Sequence, residues 1–176
     1  MTVIIDGSNG LTFPDVSIQA TSATNATNIS AGTLPFARLP TGSVLQVVQS
    51  SYTNATTTTS TSYVTTGILV TITPKFSTSK ILVMHQGMIN TQGSAYWGYY
   101  TLYRGGSNLN GSVGSGGLYI NGGTDNHVPT NLVFLDSPAT SSATTYTVYI
   151  KSSSGSSVRY NSDGWSLNIV ALEIAA

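Results

Sequence analysis

The chain has 176 residues, of which 40% are hydrophobic and only 7% charged, with six basic residues balancing six acidic ones and no cysteine. Steering toward nucleic acid or an anionic membrane needs clustered Lys and Arg, so neither partner is expected. Disulfides, thiolate metal sites and cysteine nucleophiles are excluded, and no apolar run reaches the roughly 18 residues needed for a membrane span.

Length and apolar content suit one β domain with an arm. Ser, Thr, Asn and Gly must take the solvent-facing role that charges usually fill, since an average domain has about 25% charged residues. A monomer of zero net charge is prone to self-association, and an assembly that buries its sticky faces removes part of that hazard. The N-terminal Met-Thr-Val-Ile-Ile-Asp lacks a charged n-region and a long apolar run, so it does not read as a signal peptide. Folding in the cytoplasm where the chain is made is the expectation. The sequons at Asn25, Asn28, Asn54 and Asn110 then reflect Thr- and Asn-rich composition rather than glycosylation.

Thr2 to Ile5 reads as a short apolar strand, and Asp6-Gly7-Ser8-Asn9-Gly10 as a turn. Leu11 to Asp15 and Val16 to Ala20 follow. Thr21 to Ala31 is nearly all Thr, Ser, Ala and Asn and cannot form a core of its own. Ile29 to Thr41 carries Pro35 and Pro40, which lack an amide donor and push Leu34 and Leu39 toward extended geometry. With Leu34, Phe36 and Leu39, this extended segment needs a surface to lie on. It divides the chain into an attachment arm and linker, 1–42, and a β-sandwich head, 43–176.

Strand signals then come in sequence. Ser43 to Tyr52 is the first, and a Thr-rich stretch leads to Tyr63–Thr66. Gly67 precedes Ile68–Thr73, which Pro74 stops. Lys80 to Asn90 is apolar on both faces and is expected to be covered on both sides. Ala95 to Arg104 is an aromatic strand, and Gly105 to Gly117 a glycine- and serine-rich excursion. Leu118–Ile120 is a short strand, Asn121–Val128 a loop, and Thr130–Asp136 a strand. Thr144 to Ser152 alternates, with Tyr146, Val148 and Ile150 on one face. Ser153 to Gly164 is polar, with Val158 and Tyr160 inside it, and Trp165 to Ile174 is the last apolar strand. About eight strands at 8–12-residue spacing, with no helical pattern beyond a turn, predict an all-β fold. The expected architecture is an antiparallel jelly-roll-like β-sandwich head preceded by an extended N-terminal arm.

Short motifs follow one another along the chain: Asp6-Gly7-x-x-Gly10-Leu-Thr-Phe13-Pro14-Asp15, then Asn28-Ile-Ser-Ala-Gly32-Thr33-Leu34-Pro35-x-Ala37-Arg38-Leu39, then Gly42-Ser-Val-Leu-Gln46-Val47-Val48. Ser79-Lys80-Ile81-Leu82-Val83, Leu102-Tyr103-Arg104-Gly105, Asp136-Ser137-Pro138, Thr145-Tyr146-Thr147-Val148 and Leu172-Glu173-Ile174 continue the order. In this order over nearly the full length, the chain resembles the fibre and receptor-binding proteins of tailed bacteriophages. The resemblance implies a homotrimeric, non-enzymatic virion protein on the tail or capsid surface. Its N-terminal arm would hold another phage structural protein, and its head would be a jelly roll like those of tumour-necrosis-factor and complement-globular-head trimers. In that setting Phe13, Leu34, Phe36, Arg38 and Leu39 become attachment or inter-chain contacts. Ile81, Val83 and Ile169, on the two doubly apolar strands, become candidates for the threefold interface. The short length, without shaft or enzymatic domain, leaves a capsid decoration or head-fibre protein as the alternative.

No cofactor or metal is expected. His85 lies in the most apolar strand without ligand partners at metal spacing, so a satisfied interior or interface histidine is the reading. Most of the six carboxylates sit in turn contexts, which leaves a small polysaccharide-cleaving enzyme as a weaker alternative. Gly114-Ser115-Gly116-Gly117 lacks the Lys and following helix of a phosphate loop. Tyr96 and Tyr100 share one face of the aromatic strand; Trp97, Tyr99 and Tyr103 share the other. That strand can be core, subunit contact or glycan platform, with packing the first reading. Tyr160 and Trp165 flank Asn161 and Asp163, and Asp125 and His127 lie in another polar loop. These six residues are the candidate contacts to a host-surface glycan.

Overall fold

Alternating apolar residues bounded by Gly, Pro and Asn turns build nearly every element of the computed structural model, which describes residues 4–6, 10–12, 18–19, 35–91, 96–120 and 126–176. The chain divides into two compact units, Met1–Arg38 and Leu39–Ala176. In the first, β1 (Ile4–Asp6), β2 (Gly10–Thr12) and β3 (Ile18–Gln19) form a three-stranded antiparallel sheet. Phe13, Leu34 and the Thr21–Ala31 linker lie outside the described residues. Phe36–Arg38 is a turn of 3-10 helix, not the extended segment expected there. The cause is local. Pro35 carries the φ that suits the start of a turn, and its carbonyl accepts the Arg38 amide at 2.9 Å.

The second unit is a sandwich of two antiparallel sheets. Its strands are β4 (Val44–Tyr52), β5 (Thr56–Thr58), β6 (Val64–Ile72), β7 (Lys80–Thr91), β8 (Tyr96–Arg104), β9 (Ser107–Asn108), β10 (Gly116–Ile120), β11 (Asn126–Asp136), β12 (Thr144–Ser152), β13 (Val158–Tyr160) and β14 (Leu167–Ile174). Pairing is nested. β4 pairs β14, β6 pairs β12, β7 pairs β11 and β8 pairs β10. A chain folded back on itself in this way and wrapped into two layers is a jelly roll. One sheet holds β4, β14, β7 and β11, extended by β13 and β5; the other holds β6, β12, β8 and β10, with β9 on its edge. The last strand is central, between β4 and β7, and backbone bonds between Ala175 and both Gly42 and Ser43 tie it to the first.

Several strands depart from the sequence pattern: β5, β9 and β13 lie in stretches read as polar or glycine-rich, β10 and β14 begin two residues from the expected position, and β6 and β11 differ for identifiable reasons. β6 runs through Gly67, which takes φ +78 and lies opposite a register shift in β12 between Thr147 and Tyr149. Gly67 is therefore a bulge, which only its missing Cβ allows at little cost. β11 begins at Asn126 and contains Pro129 opposite Met88. Among the described residues β11 pairs only with β7, so Pro129 sits on an edge strand, where proline is tolerated.

The inward faces supply Ile68, Val70 and Ile72 from β6, Ile81, Val83 and Ile89 from β7, Tyr146, Val148 and Ile150 from β12, and Ile169 and Ala171 from β14. Ile81, Val83 and Ile169 are fully buried inside this one sandwich. The assignment of these three to a subunit interface is corrected: the core between the sheets consumes their whole surface.

Candidate functional site

Three surfaces of the head could meet a partner, and strand alternation decides what each presents. The first is the outer face of the β4–β14–β7–β11 sheet. Residues opposite one another on neighbouring strands point to the same side. Val47 lies opposite Leu172, Leu172 opposite Leu82, and Leu82 opposite Leu135. The next row reads Gln49, Val170, Met84 and Val133. Val133 is 68% exposed, Val47 59%, Leu135 51% and Met84 37%. Ser51 and Asn168, and beyond them Gln86 and Asn131, bound the patch with polar side chains. Seven aliphatic or thioether side chains thus form two adjacent rows across four strands. Contiguous apolar surface of this kind, unlike scattered exposure, makes the face a candidate interaction site.

The second surface is the loop region expected to hold receptor contacts. Tyr160 and Asn161 are 1% and 0% exposed, so neither is available to a receptor, and their assignment as contacts is corrected. Tyr160 belongs to β13. Its hydroxyl joins a buried chain in which His85 Nδ1 lies 2.8 Å from the Asn168 carbonyl, His85 Nε2 lies 3.0 Å from Tyr160 Oη, and Tyr160 Oη lies 2.7 Å from Thr130 Oγ1. A carbonyl only accepts, so Nδ1 carries the proton, Nε2 accepts from Tyr160, and Tyr160 accepts from Thr130. Burial depresses the His85 pKa, against a smaller opposing effect of the Asn168 bond, and raises that of Tyr160. Asn161 takes φ +54 and donates from Nδ2 to the Trp165 carbonyl at 2.9 Å, holding the loop that follows.

That loop does bring the remaining candidates together. Trp165, 58% exposed, donates from Nε1 to Asp163 Oδ2 at 3.2 Å, and His127 Nδ1 lies 3.3 Å from the same oxygen. Ser162 Oγ donates to Asp163 Oδ1 at 3.2 Å and lies 3.5 Å from His127 Nδ1. Serine and carboxylate converge on one imidazole nitrogen. A nucleophilic triad needs them on opposite nitrogens. Asp125 lies outside the described residues.

The third surface, on the outer face of the β6–β12–β8–β10 sheet, is aromatic. Tyr96 is buried, as one face of β8 requires, and Trp97, Tyr99 and Tyr103 point outward. Trp97 and Tyr99 stack at 6.0 Å and 10°, and Tyr119 lies 5.0 Å from Trp97. Tyr103 and Tyr149 stack at 4.0 Å, and Tyr63 meets Tyr103 edge-on at 6.1 Å. Lys151 Nζ stands 4.5 Å from the Tyr63 centroid and 5.2 Å from that of Tyr99. Burial, then the neighbouring Tyr103 and Tyr99, push the Tyr63 pKa up to about 12. The glycine-rich run explains itself here. A Cβ at Gly117 would sit 2.8 Å from the Tyr99 ring, and one at Gly114 2.3 Å from the Tyr63 hydroxyl. These glycines let tyrosine rings lie against the backbone. Alternation in β8 signalled the aromatic face; the contributions of Tyr63, Tyr119, Tyr149 and Lys151 depend on strand pairing between distant segments.

In the arm, Phe36 is 45% exposed, Arg38 is exposed and Leu39 half-buried. Among the described residues no group of three His, Cys, Asp or Glu could hold a metal ion, and no helix is long and apolar enough to cross a membrane. Asp136 accepts from Arg104 Nη1 on both oxygens at 2.9 Å and from the Tyr146 hydroxyl at 2.7 Å. Buried Glu173 accepts from Gln46 Nε2 at 2.6 Å and from the Lys75 and Phe76 amides at 2.7 and 3.3 Å. Both carboxylates bind strands together.

No protein-family model matches the chain, and no curated protein is similar to it in sequence. A similar solved structure is the D431N mutant VP2 protein of infectious bursal disease virus in derived T=1 particles, with 18% identity and a TM-score of 0.30. The match covers 84% of this chain and 40% of that one. So loose a superposition carries no argument about function, and the jelly-roll assignment rests on the strand pairing described above.

Proposed function

We propose that this chain is a non-enzymatic structural protein of a virus particle. In this reading it is a homotrimeric appendage of the tail, held by its N-terminal arm and meeting a host-surface glycan with its head. One observation carries the reading: the two-row aliphatic face of Val47, Leu172, Leu82 and Leu135 beside Val170, Met84 and Val133. A charge-poor protein with such a face across four strands has a strong drive to cover it, and a second and third copy of the same head supply an equally apolar surface. The order of fibre-like motifs along the chain supports the virion assignment. Among the described arm residues, exposed Phe36 and Arg38 and half-buried Leu39 have side-chain surface to offer a particle protein or a neighbouring chain. Several shallow glycan contacts, repeated over three heads and several appendages, give firm attachment from weak single sites.

The test is location. Purified particles, labelled with an antibody to residues 43–176 and imaged, should carry the label at the tail. Label spread over the icosahedral shell would make the chain a capsid decoration protein, and particles free of the protein would overturn the virion reading.

A further inference from the structure

The sandwich segregates its two outer faces chemically. One is aliphatic; the other carries tyrosines, one tryptophan and one lysine. We propose that the second face, on β6–β12–β8–β10, is a saccharide-binding site in which the aromatic rings carry the sugar ring and Lys151 receives a carboxylate on it. This deepens the glycan-attachment reading, on which it rests, and moves the contact from the Asp163–Trp165 loop to the sheet.

Pyranose rings present polarised C–H groups on one side and hydroxyls at the edge. An exposed aromatic face attracts the first through its negative quadrupole, and the hydroxyls need polar partners within reach. Both are present. Trp97 is 42% and Tyr119 45% exposed, and Trp97 lies nearly parallel to Tyr99. Beside them a shallow depression of about 440 Å³ is lined by Thr61, Ser62, Tyr63, Tyr103, Asn108 and Lys151. The Tyr99 ring rests on Gly117 and the Tyr63 hydroxyl on Gly114, so neither has to be ordered when a ligand arrives. An apolar protein partner would leave the exposed Thr61 and Ser62 hydroxyls on this rim unpaired.

Charge selects the class of sugar. Lys151 Nζ donates to the Ser112 carbonyl at 2.8 Å and sits over the Tyr63 and Tyr99 rings. The depression is lined by no Asp or Glu, and among the described residues no carboxylate pairs with Lys151. An ammonium with donors to spare in a hydroxyl-rich, carboxylate-free depression complements an acidic saccharide, such as a uronic-acid polymer.

The experiment is an NMR titration of the full chain with tetragalacturonate and with its methyl ester, which has the same sugar rings and no charge. The chain has two tryptophans, so two indole N–H resonances report separately on the sheet face and the loop. The Trp97 resonance should move with the acid and the Trp165 resonance should not. Lys151→Gln should weaken the acid roughly tenfold, the scale of one charge-assisted hydrogen bond, and leave the ester unchanged, with an unaltered thermal midpoint showing that the variant is folded. Movement of Trp165 alone, no movement with either probe, or equal affinity for acid and ester in the unaltered chain would overturn the proposal. The same samples are weighed by light scattering. A monomer that still binds the acid through Trp97 refutes the assembly reading and leaves this site standing, and a trimer blind to both probes does the reverse.

Discussion

Gly87 on β7 lies directly under the Tyr160 hydroxyl: a Cβ at position 87 would stand 2.2 Å from Oη and 2.6 Å from Cζ. Tyr160 cannot retreat, because it is 1% exposed and its hydroxyl is held between His85 and Thr130. Gly87→Ala should therefore destabilise the head by about 2–3 kcal/mol, from overpacking plus broken buried hydrogen bonds. Chemical denaturation measures the loss. An unchanged midpoint would mean that the ring shifts freely and the buried chain is not rigid.

The same chain sets a pH dependence. Buried His85 has its pKa lowered below the ordinary 6.5, so the folded state keeps it neutral where the unfolded chain binds a proton. As pH falls below about 6.5 the unfolded state takes up that proton first, and stability drops until the folded pKa is reached, with a slope of at most about 1.4 kcal/mol per pH unit. Above 6.5 this contribution is fully present. Unfolding curves between pH 8 and 5 check it. His85→Gln should flatten that part of the profile, and an unchanged slope in the variant would assign the acid sensitivity to other groups.

Asp136 is the acceptor for two strands. It takes Arg104 from β8 and the hydroxyl of Tyr146 from β12. Burial, then the bond to Asp136, raises the Tyr146 pKa, so the phenol stays protonated and donates. Asp136→Ala leaves that buried hydroxyl without its acceptor and should cost about 2–4 kcal/mol. Tyr146→Phe, which removes the donor as well, should recover part of the loss when combined with it. A double-mutant cycle reads the coupling, and simple additivity would deny it.

The long strands of the head were legible in the sequence because alternation and turn residues act locally; the two- and three-residue strands β5, β9 and β13 are too short to show alternation and were not. Thr144–Ser152 is the clear case: Tyr146, Val148 and Ile150 shared a face in the pattern and share the core. What did not read out was parity. β7 and β14 are apolar on both faces, so nothing local says that Ile81, Val83 and Ile169 turn inward while Leu82, Met84 and Val170 turn out. Pairing with β11 and the rest of the sandwich decides it. The Tyr160 site failed for a related reason. An aromatic beside Asn and Asp reads as a surface loop, but the buried acceptor His85 comes from a strand 75 residues away. The aromatic face was half legible, as Trp97, Tyr99 and Tyr103 on β8, and lacked the partners that long-range pairing brings.

Parity yields a paired test on adjacent residues. Ile81→Asp places a charge in the core, where the cost of burying it unpaired exceeds what a domain of this size can bear, and should abolish folding. Leu82→Asp places it on the open aliphatic face and should leave the fold intact. Far-ultraviolet circular dichroism separates the two, and equal unfolding by both would show that the outer row belongs to the core.

The mass of the native protein in solution tests the central claim most directly. At micromolar concentration the unaltered chain should weigh three times its 18.3 kDa, and Leu82→Asp should weigh 18.3 kDa while keeping the β spectrum of the unaltered protein. A folded, stable single chain before any substitution, or a trimer that survives aspartate at Leu82 and Val170 together, would contradict assembly through this face.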